Sequence, residues 1–180
     1  MIRSWGLVTL TGSAQPWFSD VTTAAVGLGS AAGIIPVTVA STTLYRVGDR
    51  IYLAPGTNTQ DMLLVDSIPS STVLNCRAEG GDKVTTHTHV TNTIIQLSIP
   101  CMDIILVSQG AAVVWLGSDS TVTNVGGGTG FYPLQPATAP AQPNVFRLAG
   151  QVGNTNVCRT SDGWMIGTAS QKVAVAAVVL

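Results

Sequence analysis

Apolar runs of strand length recur along this chain, and each is closed within a few residues by Gly, Pro, Asn or Ser. Residues 49–53 alternate Asp49, Arg50, Ile51, Tyr52, Leu53 and stop at Ala54-Pro55-Gly56-Thr57-Asn58. Period-two alternation bounded by turn residues is the signature of a half-buried strand. Further runs are predicted as strands at 6–10, 37–40, 61–68, 72–77, 103–107, 112–116, 131–134, 145–149, 155–159, 163–167 and 172–180, with a long strand or bent pair at 87–99. Short strands at this spacing predict an all-β chain built as sandwiches or barrels.

Composition supports the same reading. Charged residues make up 9% of the 180 residues, against roughly 25% in an ordinary domain. Glu79 is the sole glutamate, and Lys83 and Lys172 are the two lysines. These residue types usually fill exposed helix faces, so long surface helices are not expected. Val and Thr, whose branched Cβ suits a pleated sheet, take their place. The expected organisation is two small β-sandwich or β-barrel domains with an extended N-terminal segment: an arm at 1–36, one domain at 37–99 and a second at 100–180. Domains of this size bury little of their unfolded surface and gain from a partner.

The same composition excludes function classes. No charge-free apolar run reaches the ~18 residues of a membrane helix. The nearest stretch, 24–40, holds three glycines and Pro36 and reads as a small-residue loop leading into a strand. The N-terminus lacks the basic and apolar regions of a signal peptide, so a cytosolic origin is expected. Net charge is −1, and Arg3, Arg46, Arg50, Arg77, Arg147 and Arg159 are scattered rather than clustered. Nucleic acid and membrane are therefore not expected as partners. A surface this neutral suits a subunit packed against other subunits. Cys76, Cys101 and Cys158 match no zinc or redox spacing and are expected as buried free thiols.

Candidate chemistry is sparse. His87 and His89 would share one face of a strand, and a trimer could bring six imidazoles to one axis. The surrounding Thr85, Thr86, Thr88 and Thr91 favour polar strand residues instead, so no metal and no cofactor is expected. No Gly-x-Ser-x-Gly elbow occurs. Asp20 with Glu79, or Asp61 with Asp66, could pair as glycosidase carboxylates, but nothing singles them out. The glycine run at 126–130 lacks the Lys-Ser/Thr of a phosphate loop. An enzyme is not expected. Trp115 and Trp164 lie in apolar strand patterns and read as core. Trp5, Trp17 and Phe18 lie near the N-terminus and read as aromatic anchors against a neighbouring subunit.

The stretch Tyr45-Arg46-Val47-Gly48-Asp49-Arg50-Ile51-Tyr52-Leu53 resembles the opening of small β-modules in tailed-bacteriophage head and tail proteins. Leu64-Val65-Asp66-Ser67-Ile68 and Ser71-Thr72-Val73-Leu74 resemble its continuation, and His89-Val90 stands where the pattern carries a His before its next strand. The usual glycine after that His is absent here, where Val90-Thr91 follow. Residues 8–16, and 114–123 followed by Pro133-Leu134, are similar to phage sequences as well, so the resemblance touches about half of the chain. It implies an all-β virion structural protein, most simply a homotrimeric capsid decoration (cement) protein. Such a protein assembles in the host cytoplasm and sits on the capsid exterior, bridging copies of the major capsid protein. A tail or head fibre module binding a host-surface glycan, and a neck or tail joining protein, are the alternatives. Residues 1–33 and the proline-rich stretch with Pro136, Pro140 and Pro143 are the expected reaching elements.

Overall fold

The computed structural model describes residues 2–27, 33–79, 87–123, 132–136, 144–149, 158–161 and 163–179. The chain is all-β: every element among these residues is a strand, and every ladder between strands is antiparallel. It divides into two compact units. One comprises Ser19–Ser98, and the other combines Met1–Phe18 with Ile99–Leu180.

Ser19–Ser98 contains β3 (Ser19–Val21), β4 (Ile35–Thr38), β5 (Arg50–Leu53), β6 (Asp61–Ser67), β7 (Val73–Ala78) and β8 (Ile94–Ser98). They form one sheet in the order β3-β8-β5-β6-β7-β4. Its two outer strands meet: Thr22 bridges Val39, and Thr23 N donates to Thr38 O at 2.8 Å. That contact closes the sheet into a small barrel, and closure removes the exposed strand edges. Alternate residues point inward and are fully buried, among them Ile51 and Leu53 on β5, Leu63 and Val65 on β6, and Leu74 and Cys76 on β7. The start of β5 is set locally. Asp49 Oδ2 accepts from Arg46 N at 2.8 Å, across Gly48 at φ +91°, a conformation that favours glycine.

The second unit contains β1 (Ile2–Thr9), β2 (Gln15–Pro16), β9 (Pro100–Ser108), β10 (Val114–Gly117), β11 (Tyr132–Leu134), β12 (Val145–Ala149), β13 (Cys158–Arg159), β14 (Trp164–Ile166) and β15 (Lys172–Val179). Two sheets result, β1-β15-β9-β12 with β13 also on β9, and β11-β10-β14-β2. They face each other through aromatic rings. Phe146 on β12 lies 5.6 Å from Trp17, which follows β2, and 5.0 Å from Tyr132 on β11. Val173, Val175, Ile104 and Leu106 of the first sheet and Val114, Leu116 and Met165 of the second complete this core.

The expected N-terminal arm at 1–36 is corrected by this topology. Residues 2–9 are a strand paired along β15, with Ile2 opposite Val178 and Thr9 opposite Lys172. Residues 15–16 pair with β14, 19–21 with β8 and 35–38 with β7. Residues 1–18 belong to the unit that resumes at Ile99, one residue before the expected start of the second domain. Of the long strand or bent pair expected at 87–99, Ile94–Ser98 forms β8 and His89 makes an isolated bridge to Val26. Asn92 takes φ 66° in a turn, and pairing with β5 begins at β8. The apolar stretch 172–179 is paired on both sides, by β1 and β9.

Candidate functional site

The sheet β1-β15-β9-β12 presents an apolar face to solvent. Residues directly opposite in an antiparallel ladder point to the same side, so the registers define rows across the four strands. One row is Leu7, Ala174, Val107 and Val145. The next is Ser4, Ala176, Ile105 and Arg147, and the third is Ile2, Val178, Asp103 and Ala149. Exposure is highest at the outer strands, with Ile2 at 74%, Leu7 at 56% and Val145 at 43%. The two charges in these rows neutralise each other. Arg147 grips Asp103 with both Nε and Nη2, at 3.3 and 2.6 Å.

A bulge keeps β1 in phase with this face. Ser4 and Gly6 stand opposite the adjacent residues Ala176 and Val175, so Trp5 is the extra residue. Gly6 sits at φ +81°. The inserted residue lets both Arg3 and Val8 turn inward although an odd number of positions separates them. β1 is the outermost strand of its sheet and carries neither lysine nor proline, two common edge protections. Strands apolar on both faces are those that sheets bury on both faces. β15 has this character: Val173, Val175 and Ala177 are in the core, while Ala174, Ala176 and Val178 lie on the outer side. That double-sided pattern at 172–179 is the sequence signal that could have pointed to this surface. The other contributors, Leu7, Val107 and Val145, come together only through long-range pairing.

A second cluster forms around Asp61 at the start of β6. Asp61 is an inward position of β6, opposite Leu53, and is buried. A carboxylate there needs partners. His89 Nε2 lies 2.8 Å from Asp61 Oδ2, His87 N donates to the same oxygen at 3.2 Å, and His87 Nδ1 stands 3.5 Å from Oδ1. His89 is itself fixed by reciprocal backbone bonds with Val26, each 2.8 Å. The two histidines therefore converge on one carboxylate of their own chain rather than lining one face of a strand, which corrects the expected geometry. Among the described residues no group of three or more His, Cys, Asp or Glu side chains is arranged to hold a metal ion. The cluster ties the segment around residues 87–89 to β6. Asp61→Ala is expected to cost about 3 kcal/mol, since it strands the buried His89 and a backbone N–H. Urea unfolding followed by circular dichroism measures this loss, and an unchanged midpoint would show that the cluster bears no load.

The expected aromatic anchors are placed differently. Trp17 and Phe18 are each 1% exposed and belong to the interior, which corrects their reading as contacts to a neighbouring subunit. Trp17 Nε1 donates to Trp164 O at 2.7 Å, and aromatic size with a satisfied N–H is what a core position requires. Trp164 is buried and Trp115 half-buried. Pro136 is half-buried just after β11. The side chain of Trp5, together with Pro140, Pro143 and the glycine run at 126–130, lies outside the described residues. No helix among the described residues is long and apolar enough to cross a membrane. Comparison with protein families, curated proteins and solved structures finds no match to this chain.

Proposed function

We propose that this chain is a non-enzymatic structural virion protein, a capsid decoration protein of the tailed-phage type that stabilises a shell by bridging its subunits. The observation that carries the reading is the solvent-facing apolar surface of β1-β15-β9-β12. Contiguous exposed apolar surface is uncommon on free monomers and marks sites of protein association. Its ion pair between Arg147 and Asp103 is internally satisfied, and the exposed Lys172, opposite Thr9, borders the apolar rows on the same side. A chain with 9% charged residues has few other means of attachment, and its contacts would be apolar and hydrogen-bonded. The resemblance of residues 45–53 and their continuation to phage head and tail modules gives the class of partner: copies of the same chain, as a homotrimer, and the major capsid protein. Bridging neighbouring capsomers would raise shell stability by mass action and multivalency.

Light scattering on the purified protein gives the native mass, and a trimer is expected. Co-sedimentation with empty heads should persist in about 1 M salt, because screening at that concentration leaves apolar contacts intact. Release by salt would overturn the docking mode. Leu7→Lys combined with Val145→Lys alters two exposed positions at the ends of one row. It should leave the unfolding midpoint within about 0.5 kcal/mol of the parent, yet reduce co-sedimentation at least tenfold. Undiminished binding by this variant would remove the face from the interface. A stable monomer that ignores heads but binds a host-surface glycan would instead select the fibre reading.

A further inference from the structure

Cys101 and Cys158 stand directly opposite each other on β9 and β13. Cross-strand neighbours have Cα atoms about 4.5–5.5 Å apart, inside the roughly 4.4–6.8 Å range that disulfides span. Their Sγ atoms are 3.1 Å apart, closer than two sulfurs rest in ordinary van der Waals contact. Each Sγ also lies beside the other residue's carbonyl oxygen, at 3.1 and 3.0 Å. The strands are registered without help from the sulfurs. Thr160 N donates to Ile99 O at 3.1 Å, and Ile99 N donates to Thr160 Oγ1 at 3.0 Å. Backbone pairing has therefore brought the two thiols to within about 1 Å of the S–S bond length.

The geometry points to a reversible covalent cross-link between Cys101 and Cys158, formed by exchange with a small-molecule disulfide. Cys158 is the entry point, being 7% exposed where Cys101 is fully buried. Its thiolate attacks one sulfur of the small disulfide, which releases one small thiolate and leaves a mixed disulfide on Cys158. The Cys101 thiolate then attacks Cys158 Sγ and expels the second small thiolate. The two protons given up by the cysteines end on the two released thiols, and the two electrons reduce the small disulfide. The new bond ties β9 to β13 and closes the chain between residues 101 and 158, a constraint that acts mainly on the unfolded ensemble. It is independent of the docking reading above. Cys76 is the internal control: it is buried in the barrel unit, and burial holds its thiol at about 12, far from the reactive range.

The test is incubation of the folded full-length protein with oxidised glutathione, followed by thiol counting, intact mass and non-reducing peptide mapping. The three titratable thiols should fall to one, the mass should drop by two hydrogens, and one linked peptide pair should carry Cys101 and Cys158. The thermal midpoint of the oxidised form should rise by on the order of 10 °C and return on reduction. In Cys101→Ala the exchange should halt as a single glutathione adduct on Cys158. Three thiols persisting in the parent at exchange equilibrium, or a linkage that involves Cys76, would overturn the proposal. The parent's peptide map decides it even if the variant does not fold.

Discussion

Trp17→Ala is expected to destabilise the sandwich unit by about 3–5 kcal/mol, the range for removing a large aromatic side chain from a core. Three losses coincide at this position. The ring leaves a void against Phe146, the carbonyl of Trp164 loses its donor at 2.7 Å, and the close seat on Gly163 is emptied. Gly163 fits Trp17 so tightly that a Cβ there would run into the indole ring, so Gly163→Ala should also destabilise, by about 1–3 kcal/mol. Trp17→Phe restores most of the volume without the N–H and should fall between parent and alanine. Urea unfolding followed by far-ultraviolet circular dichroism reads all three. If Trp17 served instead as an anchor to another subunit, Trp17→Ala would leave the monomer's midpoint in place and abolish assembly.

Alkaline pH is expected to weaken the barrel unit selectively. Burial raises the thiol of Cys76 from 9.0 to about 12, with the Asp66 charge adding to the effect. Burial and the adjacent Asp20, which accepts a 2.9 Å hydrogen bond from the hydroxyl, raise Tyr45 well above 10.0. Each group is neutral in the folded barrel and ionises more readily once the chain unfolds. The stabilisation is therefore complete below pH 9 and is lost as pH rises toward 12. At about 1.4 kcal/mol per unit, Cys76 alone contributes about 4 kcal/mol across that window. Cys76→Ala should flatten the fall in unfolding free energy between pH 9 and 11. A slope identical to the parent would assign the alkaline loss to other groups.

The barrel was the most legible part of the sequence because its information is local. Residues 49–53, 61–68 and 72–77 carry alternation and turn residues side by side, and they became β5, β6 and β7 with shifts of a residue or so at their ends. The first 36 residues were misread because their partners lie far along the chain. Nothing near Ile2 announces that Val178 will pair with it. A glycine-interrupted stretch with aromatic residues reads the same whether it reaches outward or folds back. Trp17 and Phe18 became anchors in that reading for the same reason, since the ring that meets Trp17 belongs to Phe146. The apolar outer face was not legible: residues 172–180 read only as a strand, and which residues complete the surface depends on three registers that no local pattern encodes.

The division of the chain also sets an order of events during synthesis. Ser19–Ser98 is continuous, and its ends lie on neighbouring strands, with Ser19 opposite Gln96. It can close as soon as β8 has left the ribosome. The other unit must wait. Its first strand is made before any of the barrel, yet its hydrogen-bonding partner is β15. Throughout that interval β1 lacks its partner strand, because β15 is the last strand to be made. Chaperone occupancy should therefore peak after the barrel has emerged and end when β15 does, and nascent chains stalled before Lys172 should hold a protease-resistant core of barrel size beside a digestible N-terminus.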